Sequence, residues 1–110
     1  MRRAKQTRLE KAGWRIGNAA DFLGLSKEEA AFVELKLALA RSLRQRRLRK
    51  GMTQVELAKH LHSSQSRVAK MEAAELSVSI DLLVRSLLAL GVSRRELGRI
   101  IATPRNERAA

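Results

Sequence analysis

Ser26–Glu29, Thr53–Glu56 and Ser93–Glu96 each place a Ser or Thr three residues ahead of a Glu, at the head of an apolar helical pattern. At that spacing the hydroxyl can accept from the Glu backbone N–H, while the Glu carboxylate accepts from the Ser or Thr N–H. Each pair is therefore a helix start. Glycines at 24, 51 and 91 supply the matching stops, because a residue without Cβ enters the left-handed turn that closes a helix. Nothing alternates with the two-residue period of a strand, and the only proline is Pro104. With Leu and Ala supplying most of the apolar residues, the chain reads as all-α.

The apolar spacing fills in the helices. Asn18 is placed to cap a short helix that ends at Gly24, anchored by Trp14, Ile16, Phe22 and Leu25. Ser26 opens a long helical pattern that runs to Gly51, with Phe32, Leu35, Leu39 and Leu43 on one face. Its length allows one helix, or two with a bend between 35 and 38. Thr53 opens a short helix carrying Val55, Leu57, Ala58 and Leu61, which His62 and Ser63 break. Ser63 or Ser64 then caps a second short helix with Val68 and Met71. Residues 73–76 form a loop. Ser79 caps a helix with Ile80, Leu83, Val84, Leu87 and Leu90 on one side, and Ser93 opens a last one with Leu97, Ile100 and Ile101. The domain organisation expected from this is a basic arm at 1–13, a helical extension at 14–36, a compact domain at 37–102 and a polar tail at 103–110.

Charge narrows the partners. The net charge is +12 on 110 residues, a field that favours polyanions. "RSLRQRRLRK", residues 41–50, holds six positive charges and no negative one. Between 72 and 82 stand Glu72, Glu75 and Asp81 with no positive charge, which suggests a second, neutral-to-acidic surface. Without cysteine there is no disulfide or thiolate metal site. No apolar run approaches the ~20 residues of a membrane span, and the basic N-terminus lacks the apolar segment of a signal peptide. A cytoplasmic, nucleoid-associated protein is expected. His60 and His62 are two apart and share no helix face, so structural roles are expected rather than a metal site. No catalytic spacing or phosphate-cradling loop occurs, so neither catalysis nor a cofactor is expected.

The informative stretch is "TQVELAKHLHSSQSRVAKME", residues 53–72. Two helices this short are not stable alone and must cross steeply, with small Ala58 where they pass. Leu57, Leu61, Val68 and Met71 point inward. Ser64, Gln65, Ser66, Arg67 and Lys70 are left outside, a set able to bond base edges and phosphates. Gln54 sits at the first helix's N-terminus, where free N–H groups suit a phosphate oxygen.

Met52-Thr53-Gln54, Leu57-Ala58, Leu61, Ser64, Gln65-Ser66, Val68 and Met71-Glu72 resemble the helix-turn-helix of Xre/Cro-type phage repressor-like regulators. The resemblance covers about residues 37–102 and implies five helices. It implies that Gln54 contacts phosphate, that Gln65, Ser66 and Arg67 read bases, and that Lys70 supports backbone binding. Ser64 and, from the basic run, Arg44 and Arg47 join this DNA-binding set. More narrowly, "GWRIGNAADFLGLSKEE", "VELKLALARSLRQRR" and "SQSRVAKME" are similar to the HigA-like antitoxin branch. That branch implies a repressor of its own operon, binding a palindromic operator in double-stranded DNA and encoded beside a ribonuclease toxin it neutralises. A homodimer is expected, with Ile100–Ile101 as core or dimer seam. The alternatives are a stand-alone or phage-derived regulator without a toxin, and a toxin-neutralising interaction protein for which DNA binding is secondary. The family's turn usually has Gly where this chain has His62, and its next loop commonly has Gly where this chain has Ala74. The aim of the reading face therefore depends on His62 holding positive φ.

Overall fold

The computed structural model describes residues 24–103. The expected arm at 1–13, the cap at Asn18, the anchors Trp14, Ile16 and Phe22, and the tail beyond Thr103 lie outside these residues. The chain divides into two compact units, 1–34 and 35–110. Among the described residues there are five helices and no strand: α1 (Lys27–Arg49), α2 (Gln54–His60), α3 (Gln65–Glu72), α4 (Ile80–Ala89) and α5 (Arg94–Ala102).

All three capping boxes form. Ser26, Thr53 and Ser93 accept from the N–H groups of Glu29, Glu56 and Glu96 at 3.1, 3.1 and 3.0 Å, and each Glu carboxylate accepts in return. The bonds from the Ser26 backbone and hydroxyl hold the Glu29 carboxyl below its ordinary range. Between the two possible caps of α3, Ser64 is the one used, accepting from the Arg67 N–H. Ser79 caps α4 in the same way, accepting from the Leu82 N–H. The long pattern from Lys27 to Arg49 is a single helix.

The stops share one geometry. Gly51, His62, Ala74 and Gly91 all have left-handed φ, at 68°, 56°, 54° and 91°. In each case the following N–H reaches back five residues: Met52 to Arg47, Ser63 to Ala58, Glu75 to Lys70 and Val92 to Leu87. This is the double-bonded helix end that Gly normally supplies. At His62 and Ala74 the closing bonds, and at Ala74 packing against the core, hold a conformation that costs a residue with a Cβ ~1–2 kcal/mol. The turn on which the reading face depends therefore has its positive φ without glycine.

In the unit 35–110, one core cluster joins Leu39, Ala40 and Leu43 of α1 to Leu57 and Ala58 of α2. Val68 and Met71 of α3, and Leu83 and Leu87 of α4, complete it with Val78, Leu90 and Val92 from the loops. Leu97 and Ile100 of α5 pack on its edge. Two expected anchors differ. Phe32 is 55 % exposed and Val55 is half exposed, although both have helical apolar spacing. Periodicity identifies a face, but not how far a partner extends along it.

Candidate nucleic-acid interface

The short helices α2 and α3 bring residues from three parts of the chain into one hydrogen-bonded relay. It begins inside. Arg47, placed by its helical turn toward the core, is 8 % exposed. Its Nε donates to Glu72 Oε2 at 2.6 Å and its Nη2 to Oε1 at 3.0 Å, a two-pronged pair, while Nη1 donates to the Met52 carbonyl at 2.9 Å. The side chains of this pair are only 10 % and 5 % exposed. The bond to Glu72 pushes the Arg47 guanidinium above its already high value, outweighing the opposite pull of burial. Arg47 was expected to touch phosphate. Its donors are instead used within the protein, because its helical position aims it at Glu72.

Glu72 carries the relay outward. Its Oε1 also accepts from Gln54 Nε2 at 3.1 Å, and Gln54 Oε1 accepts from Gln65 Nε2 at 2.7 Å. A carboxylate can only accept, so Gln54 must turn its NH2 toward Glu72 and its oxygen toward Gln65. Gln65 must then turn its own NH2 toward Gln54. One buried charge pair thus sets two amide orientations in sequence. What remains on exposed Gln65 is its Oε1 acceptor and one N–H donor. Gln54 retains one N–H, and is less available to phosphate than its place at a helix start suggested.

The other expected residues divide by use. Ser66, Arg67 and Lys70 are exposed along α3. Ser64 is exposed too; its oxygen caps α3, which leaves its hydroxyl proton free to donate. Arg44 is exposed on α1. Glu72 was read as part of an acidic surface and is instead the buried hinge of the relay. The signal that could have found it was its position, a lone carboxylate ending the outward-facing helix of a strongly cationic chain. Glu75 and Asp81 remain exposed: only the backbone carbonyl of Glu75 accepts from Lys36 Nζ, at 2.7 Å, and Asp81 lies 3.6 Å from Arg85 at the surface. His60 donates through Nε2 to the Ala89 carbonyl at 3.0 Å, a structural use.

Two short helices joined by a left-handed turn, the second presenting Gln, Ser and Arg outward, constitute a helix-turn-helix. Residues 43–100 match the helix-turn-helix family model, more than half of the chain, and the chain belongs to that Xre-type family. It is a family of DNA-binding regulators rather than of enzymes. No curated protein and no solved structure matches the chain. Among the described residues, no helix is long and apolar enough to cross a membrane.

Proposed function

We propose that the chain is a sequence-specific repressor that binds a palindromic operator as a homodimer and acts in the cytoplasm. The observation that carries this is the Arg47–Glu72–Gln54–Gln65 relay. The acceptor and donor left on Gln65 match the N6 donor and N7 acceptor of adenine in the major groove. Arg67, with a two-donor fork, suits guanine, and Ser66 can bond either base. Ser64, Lys70, Arg44 and the remaining Gln54 N–H suit phosphate oxygens, which position the protein without reading sequence. A two-fold dimer would set its half-sites about 34 Å apart. Exposed Leu88 on α4 and Ile101 on α5 are apolar surface for a second copy to cover.

The test is operator binding by Gln65→Ala. It should lose ~1–3 kcal/mol and relax preference at one base position. Retained affinity together with retained preference would falsify the assignment of α3 as the reading helix.

A second reading, an antitoxin that also binds a toxin through residues 14–36 and the long helix α1, is favoured by Phe32 and Val33, which are 55 % and 36 % exposed before the family-matched region begins. Co-expression with the neighbouring gene tests it. A co-purifying complex and rescue from toxicity are expected, and a stand-alone regulator would give neither.

A further inference from the structure

The basic run of α1 does more than border the DNA face. Arg41, Gln45 and Arg49, at helical spacing on one side of α1, line a concavity with Arg99 of α5. Its volume is about 320 Å³, with Ala38 and Ile100 among its apolar lining. Arg46 and the carboxylate of Glu96 line it too, and neutralise each other in an ion pair. The side chains of Arg41, Arg49 and Arg99 have no ion pair or hydrogen bond among the described residues. Three guanidiniums without a partner among the described residues, around one small hollow, repel one another and focus a positive potential into it.

We propose that this groove between α1 and α5 binds a small phosphorylated molecule, with Arg41, Arg49 and Arg99 gripping its phosphates. Guanidinium forks match phosphate oxygens in pairs, which a point-charge ammonium does not. The apolar lining accommodates the organic part. The volume sits at the lower end of the ~300–1,000 Å³ typical of small-molecule sites, enough for one such ligand and too small for a docked helix. No residue of α2 or α3 lines the groove, so this site is separate from the base-reading face and does not rest on that assignment.

Calorimetric titration of the full chain with inorganic pyrophosphate at ~0.15 M ionic strength tests the proposal. The expected result is saturable binding of one pyrophosphate per chain. Binding should be unchanged in Gln65→Ala and Arg67→Ala, and weakened at least about tenfold in the double variant Arg41→Lys/Arg99→Lys, which keeps the charge but loses the forks. Because both positions are exposed, the lysine variant should retain the parent's melting temperature, checked by circular dichroism. Three results would overturn the proposal: no saturable binding, equal binding by the folded lysine variant (diffuse charge only), or loss of binding in the DNA-face variants (pyrophosphate on the α3 surface).

Discussion

Arg46 and Arg47 are neighbours in one basic run, each pairs with a glutamate far along the chain, and the fold gives them opposite surroundings. A helix turns about 100° per residue, so one step along α1 changes the face. Arg47 faces inward to Glu72, and their side chains are 10 % and 5 % exposed. Arg46 faces α5 and Glu96, at 23 % and 32 %. In the first pair the side chains are nearly closed off from water, each guanidinium nitrogen has an acceptor, and the geometry passes on to Gln54 and Gln65. In the second, solvent screens the charges and the pair ties two helices at their surface. Two ion pairs of the same chemistry therefore differ in what depends on them, and burial is the reason.

Removing a partner from the buried pair should have the largest effect. Glu72→Ala leaves the Arg47 charge buried and unpaired, a loss of ~3–5 kcal/mol by urea denaturation. If the loss is no larger than for Glu96→Gln, the contrast between the two pairs collapses. The double variant Arg47→Met/Glu72→Leu sharpens it. Stability should return to the parent level or above, since apolar residues can replace a buried pair. Operator discrimination should stay impaired, because Gln54 no longer has a carboxylate to orient it. Recovery of both would show that the relay does not set the Gln65 amide.

A smaller effect is expected at exposed Arg44. Arg44→Ala should leave the melting temperature unchanged, weaken binding to all DNA sequences alike and lower the salt slope by about 1. A sequence-dependent loss would instead make it a base contact. The smallest loss of stability belongs to Glu96→Gln, which should lower the melting midpoint at neutral pH by a small but measurable amount because solvent screens the pair. The Arg46 bond, aided by the Ser93 backbone, holds the Glu96 carboxyl down from its ordinary 4.5 to about 2. A depressed carboxyl stabilises the fold above its unfolded value, and that contribution fades as pH falls from 4.5 through 2. Parent and variant should therefore differ most above pH 4.5 and converge near pH 2 in acid-denaturation curves.

Much of the frame was legible in the chain. Capping boxes and glycine stops are local chemistry, settled by residues three to five apart; the boxes at Ser26, Thr53 and Ser93 and the stops at Gly51 and Gly91 all formed. The spacing of Leu57, Val68 and Met71 gave the crossing of α2 and α3, since short helices must bury those residues together. The failures were non-local. Phe32 has the right period and is nevertheless exposed. Glu72 looked acidic and exposed by composition, and its partner lies 25 residues away.

By itself, then, the sequence determined where the helices begin and end, that a helix-turn-helix lies at 53–72, and that Gln65, Ser66 and Arg67 stand at the head of its second helix. Helix capping and helical period act within a turn or two, so they can be read along the chain. Only the tertiary structure decided how the basic run is divided: Arg47 inward, Arg46 to Glu96, Arg41 and Arg49 into a groove, Arg44 left to solvent. It also decided that His62 and Ala74 hold left-handed turns without glycine. The cost of a strained turn or a buried charge is offset only by neighbours that folding brings together, and those neighbours are not adjacent in the sequence.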